Sequence, residues 1–357
     1  MILFLIILLL AAIVLERWSI KHSLDGVKYD VYLSRSLVEI DERFEIVTSV
    51  RNTSRRFIPF IRLHEYVPRS IQMEARLYSV GFDENRARVS STIYMMPRQK
   101  MTRRLTGSLG VRGRYLFYGA TLYGGDFLGL SEKAKSFALL KEAVVLPKSL
   151  GSGHLEQTLG GYMGDISVNR FILEDPVLTL GFREYTGREP MKQISWPVTA
   201  RTGRMMVKNY DHTLDITVTV VLNIDSALHG SACDPLDEIC YSLTRGVCEE
   251  LERRRISYAF CTNVISINQM GAWEYVSDGL GGSHLMTILE GLGRASYRFR
   301  SSRESLMEDV RRRAESGRAH IVITPTRQDF SRQDMLRLED FTGTKALVLT
   351  AEEVRQA

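Results

Sequence analysis

Ile216-Thr217-Val218-Thr219-Val220-Val221-Leu222 is an unbroken run of β-branched and apolar residues, the composition of a strand covered on both faces. A helix is expected next. Asp234 can cap it, Pro235 suits its first turn and Asp237 favours its positive end, while Ile239, Leu243, Val247 and Leu251 recur as a core stripe. The alternation continues with a strand at Ser257 to Thr262, helices around His284 to Leu292 and Ser305 to Glu315, and a strand at Ile321 to Thr324. A helix near Gln333 to Glu339 and a strand at Ala346 to Thr350 close it. Over 214–357 this predicts an α/β domain with a mostly parallel sheet and helices on both faces.

With 357 residues the chain has room for two globular units. Hydrophobic residues at 44% and charged residues at 25% exclude an intrinsically disordered or polytopic membrane protein. The net charge of +5 is spread over short groups such as Arg253 to Arg255 and Arg311 to Arg313. No concentrated basic patch marks a nucleic-acid footprint. Cys233, Cys240, Cys248 and Cys261 include no CxxC pair and no histidine at ligand spacing, which predicts buried free thiols.

Upstream, the chain begins MILFLIILLLAAIVL, residues 1 to 15, with no charge before Glu16. This predicts a retained transmembrane helix over 1–20, since Leu15-Glu16-Arg17-Trp18 lacks the small residues of a signal-peptidase site. Arg17 and Lys21 follow the apolar run, so the positive-inside rule predicts a single-pass plasma-membrane protein with its remaining chain in the cytoplasm.

Phe44, Ile46, Thr48 and Val50 alternate with charged or polar residues, and Asn52-Thr53-Ser54 then reads as a turn. Similar runs at Val27 to Leu33, Phe57 to Val67, Met101 to Leu109, Tyr115 to Tyr123 and Ala143 to Leu146 predict a small β-sandwich over 24–150. Gly151-Ser152-Gly153 and Gly160-Gly161 then read as the start of a linker segment, 151–213.

That segment contains Gly181-Phe182-Arg183-Glu184-Tyr185-Thr186-Gly187-Arg188-Glu189-Pro190-Met191-Lys192-Gln193-Ile194-Ser195-Trp196, continuing through Ala200-Arg201-Thr202-Gly203 to Val207-Lys208. It resembles the signature of the bacterial family called domain of unknown function fifty-eight, matching at Arg183, Glu184, Tyr185, Ile194, Trp196, Ala200 and Arg201. Arg188, Glu189 and Lys192 stand where the family pattern has Gly, Asp and Arg. The resemblance implies an N-terminal membrane segment, a β-sandwich and a von Willebrand A-like, Rossmann-type α/β domain. It also implies a partner, a MoxR-type AAA+ ATPase, for which such proteins look like adaptors or assembly factors.

Physically, Arg183, Glu184, Tyr185, Lys192, Trp196 and Arg201 can form ion pairs and aromatic contacts with donors left over. The cluster is either an internal brace or a docking surface with Trp and Arg as anchors. A von Willebrand A domain often binds Mg²⁺ after its first strand; here that place reads Asn223-Ile224-Asp225-Ser226-Ala227. Asn223, Asp225 and Ser226 are weak candidate ligands, because at least one of the usual oxygen ligands is replaced.

The chain has no GxxxxGK[ST], HExxH or GxSxG, and no cysteine with a plausible histidine partner. A non-enzymatic, protein-binding adaptor is therefore expected, with no small-molecule substrate identified. A structural or recruiting component of the cell envelope is the alternative, and an unusual hydrolase comes third.

Overall fold

The computed structural model describes the chain except residues 1–13, 15, 19, 74–78, 83–85, 126–130, 151–152, 171–178, 188–190, 211–216, 225–234, 268–272, 330–331 and 357. It divides into two compact units, Met1–Lys148 and Ser149–Ala357.

The first unit is built of strands. These are β1 (Val27–Leu33), β2 (Leu37–Val38), β3 (Phe44–Asn52), β4 (Ile58–Pro68), β5 (Ile71–Met73) and β6 (Ser79–Phe82). Then come β7 (Arg86–Met95), β8 (Lys100–Leu109), β9 (Gly113–Phe117), β10 (Ala120–Gly125), β11 (Glu132–Phe137) and β12 (Lys141–Val145). They form sheets ordered β1-β3-β8-β5, β11-β10-β4-β7-β6 and β2-β12-β9. In β1, Val27, Tyr29 and Val31 are buried while Lys28, Asp30 and Tyr32 face water, the period of a half-buried strand. Strands from all three sheets share one core that includes Phe44, Ile61, Leu122, Phe117 and Val145.

A charged group crosses that core. Glu65 accepts from the Tyr29 hydroxyl at 3.2 Å and from Thr48, and pairs with Arg103, which donates to Ser91 Oγ at 2.6 Å. Burial pushes the Tyr29 hydroxyl up to about 12. The turn after β3 is closed by Asn52, whose amide donates to the Arg56 and Met96 carbonyls and accepts from Ser54 N–H at 3.0 Å. Its side chain is fully buried and committed, as befits the turn residue that the sequence suggests.

The second unit starts with α1 (Gly153–Arg170), β13 (Thr179–Glu184), α2 (Trp196–Thr202), β14 (Met206–Tyr210), β15 (Thr217–Leu222) and α3 (Pro235–Arg253). It continues with β16 (Ser257–Thr262), β17 (Val264–Ser266), β18 (Tyr275–Gly279), α4 (Gly282–Arg294) and β19 (Ala295–Phe299). Last come α5 (Arg303–Arg313), β20 (Ala319–Thr324), α6 (Arg332–Thr342), β21 (Ala346–Thr350) and α7 (Ala351–Gln356). Its largest sheet is ordered β18-β16-β15-β20-β21, and β13-β14 and β17-β19 form separate pairs. Leu243, Val247 and Leu251 of α3 are buried beside Cys240 and Cys248, both free thiols.

Three expectations are corrected. The transmembrane helix over 1–20 and the single-pass plasma-membrane placement with a cytoplasmic face are overturned: among the described residues no helix is long and apolar enough to cross a membrane. The helical residues described there, Val14, Glu16 to Trp18 and Ile20 to His22, include Glu16, Arg17 and Lys21, whose charges oppose burial in hydrocarbon. Residues 1–13 and 15 lie outside the described residues.

The fold class is corrected as well, from α/β plus all-β, with a transmembrane helix, a small β-sandwich and a von Willebrand A-like, Rossmann-type domain, to a mostly β chain whose described residues form several sheets with few helices. Of the strand pairings described, only β2–β12, β15–β16, β15–β20 and β20–β21 are parallel. The β18-β16-β15-β20-β21 sheet is mixed because β18 runs antiparallel to β16. A parallel return there needs a crossover of a dozen or more residues, usually a helix, whereas the chain between Thr262 and Tyr275 spends three of its residues on β17.

The linker at Gly151 to Gly161 is corrected from Gly153 onward, where α1 is helical. Each glycine disfavours a helix by about 1 kcal/mol relative to alanine, but tertiary contacts override it. Leu159, Tyr162 and Met163 are buried, and the Tyr162 hydroxyl lies 2.9 Å from the His320 carbonyl and 2.7 Å from that of Lys345.

Candidate functional site

The signature segment folds as a β-hairpin carrying an excursion. β13 and β14 pair antiparallel with Phe182 opposite Lys208, Arg183 opposite Val207 and Glu184 opposite Met206. The chain between them turns through Met191–Gln193, makes a bridge from Ile194 to Val207, and enters α2. Pro197 in the first turn suits a helix start. Gly203 ends it at φ 69°, a left-handed position that a residue with a Cβ adopts at a cost, and its N–H donates to the Thr199 carbonyl.

The backbone of this unit is well tied. Tyr185 N–H donates to the Met205 carbonyl and Ser195 N–H to the Met206 carbonyl, both at 2.8 Å, while Met206 N–H donates to Thr199 Oγ1 at 3.0 Å. Ile194, Ser195 and Val207 are buried. Arg183, Glu184, Lys192, Ala200 and Arg201 are exposed, and Tyr185 and Lys208 are half-buried. Trp196 is 59% exposed and Phe182 45%.

The ion pairing differs from the sequence expectation. Glu184 pairs with Arg204 at 2.6 Å, a residue the sequence did not single out. Neighbouring Glu184 holds the Arg204 guanidinium above its ordinary range through a hydrogen bond and its charge. Arg204 lies in the turn just before β14, and the signal that could have found it is the hairpin register that sets Glu184 opposite Met206. Met191 and Met205, exposed apolar residues of the same segment, were also missed. Arg188 and Glu189 lie outside the described residues.

The candidate metal loop is a separate place. Asn223 is fully buried at the end of β15; its amide nitrogen donates to Thr324 Oγ1 at 3.3 Å, and its oxygen accepts from Asn263 at 3.0 Å. Asn263 in turn accepts from Ile224 N–H at 2.9 Å. A neutral amide with both ends engaged does not fit the role of a first Mg²⁺ ligand. Asp225 and Ser226 lie outside the described residues. Among the described residues no group of three or more His, Cys, Asp or Glu could hold a metal ion.

No family model matches the chain, and no curated protein matches it. Among solved structures it is similar to a cohesin module of a Clostridium perfringens ATCC13124 family 33 glycoside hydrolase, with 10% identity over 34% of this chain and 96% of that one, at a TM-score of 0.25. It is also similar to the GAE domain of GGA2p from Saccharomyces cerevisiae, with 16% identity over 32% and 89% of the two chains and a TM-score of 0.22. The sporulation control protein Spo0M from Bacillus subtilis shares 14% identity over 45% of this chain and 58% of its own, at a TM-score of 0.20. At this level of likeness none of them carries an argument about this chain.

Proposed function

We propose that the chain is a non-enzymatic, protein-binding adaptor or assembly factor that works with a MoxR-type AAA+ ATPase through the β13–β14 hairpin. The observation that supports this reading is the 59% exposure of Trp196 on a backbone held by hydrogen bonds on both sides. A large aromatic left in water on a rigid platform loses little conformational entropy when a partner covers it, and Trp and Arg are the residues that most often anchor protein interfaces. Exposed Arg183, Lys192 and Arg201 surround it in sequence. The brace reading needs Trp196 to be packed inside the unit.

The test is co-purification of the full chain with a purified MoxR-type ATPase, with ATP and Mg²⁺ and then without. Nucleotide-dependent capture that disappears in Trp196→Ala or Arg201→Ala supports the reading. Absence of capture by the intact chain overturns it.

A further inference from the structure

The first unit holds a pocket of about 240 Å³ between Trp18 and His22 on one side and Arg56 to Pro59 on the other. Phe57, Ile58 and Pro59 give it an apolar wall, and Arg56 and His22 give it a polar one. The Arg56 guanidinium sits over the Trp18 ring, 4.6 Å from its centre. A cation–π contact through one carbon of the fork still leaves N–H donors to offer, and among the described residues this guanidinium has no ion-pair partner. His22 is fixed beside it, its Nδ1 2.9 Å from the Trp18 carbonyl oxygen and its ring 5.2 Å from the Trp18 ring.

We propose that this pocket binds a small carboxylate carried on an aromatic or branched apolar body. The guanidinium fork matches a carboxylate in geometry and charge. A single arginine beside an apolar wall favours a monoanion with a greasy body over a dianion, which needs more than one cation to offset its desolvation. The volume lies below the roughly 300 Å³ at which sites for drug-sized ligands begin, so the ligand is about one ring in size. This site is separate from the hairpin proposed as the partner surface.

The probe is 4-fluorobenzoate, followed by fluorine NMR line broadening in the presence of the full chain, with 4-fluorobenzamide as its uncharged counterpart. Saturable broadening by the benzoate is expected, displaced by unlabelled benzoate, with about tenfold weaker binding by the benzamide and in Arg56→Gln, the scale of a lost charge-assisted hydrogen bond. Arg56→Gln keeps the backbone carbonyl that receives the Asn52 amide, and the side chain it replaces is exposed, so folding is retained. No broadening at millimolar probe, or equal binding of benzoate to Arg56→Gln and to the unaltered chain, overturns the proposal. Equal broadening of benzoate and benzamide overturns it too, since that marks unspecific apolar contact.

Discussion

Arg103 and Glu65 are paired across two different sheets of the first unit, the guanidinium from β8 against the carboxylate from β4. Their side chains are only 11% and 5% exposed. Taking both charges out of water is costly, and their pairing, the hydrogen bonds that Tyr29 and Thr48 donate to Glu65 and the one that Arg103 donates to Ser91 help to offset it. Removing one partner leaves the other buried and uncompensated. Arg103→Met is therefore expected to destabilise by about 3 to 5 kcal/mol, while Arg103→Met with Glu65→Leu recovers most of that loss. Urea unfolding followed by far-UV circular dichroism measures both. A double variant as unstable as the single one would show that the pair is not the source of the effect.

Gly291 marks a close approach in the second unit. A Cβ there would stand 1.7 Å from Nε1 of Trp273, a ring that is 1% exposed and donates to the Ile288 carbonyl at 3.3 Å. The indole is too rigid and too enclosed to give way without moving α4. Gly291→Ala, which elsewhere in a helix gains about 1 kcal/mol from propensity, is expected here to lose at least about 1 to 3 kcal/mol through overpacking. Thermal unfolding reads the sign of the change, and a higher melting temperature would refute the contact.

Legibility varies with how local the cause of a structure is. β15 was readable because a β-branched run reports its own burial, and α3 because Leu243, Val247 and Leu251 repeat at helical spacing. The α1 helix was not, since its glycines argue for a linker and the forces that order it, Tyr162 on the His320 and Lys345 carbonyls, come from residues far along the chain. The antiparallel β18 and the β17–β19 pair were missed for the same reason: their partners are set by register rather than by composition. In the signature, buried Ile194 and exposed Trp196 carry similar apolar character in sequence, and only the bridge of Ile194 to Val207 separates them. The Glu184–Arg204 pair depends likewise on the fold of the hairpin.

His320 lies in β20 with 1% exposure. Burial holds its proton affinity down to about 4, with the Arg318 charge adding to the effect. The unfolded chain takes up this proton near 6.5 and the folded chain does not, so the unfolded state binds more protons as pH falls. Stability is then fully present above about pH 6.5, declines between there and about pH 4, and loses about 3 kcal/mol from this group. Acidic groups such as Glu304 and Glu308, held below their ordinary range, add to acid sensitivity at lower pH. The measurement is therefore a difference: His320→Leu is expected to flatten the dependence between pH 6.5 and 4 relative to the unaltered chain. An identical slope in the two proteins would remove His320 from the account.

Trp196 separates the two readings of the signature by stability alone. As a brace packed inside the unit, its truncation to alanine would cost about 3 to 5 kcal/mol. At 59% exposure, in a short helix whose cap and backbone hydrogen bonds do not use its side chain, Trp196→Ala is expected to change stability by no more than about 0.5 kcal/mol. Ile194→Ala, two residues earlier in the same motif but 5% exposed and bridged to Val207, is expected to cost about 2 to 5 kcal/mol. Urea unfolding of the two variants side by side measures the contrast. A large loss from Trp196→Ala returns the motif to an internal role, whereas a small one leaves the tryptophan's size and rigidity unexplained by folding and available to a partner.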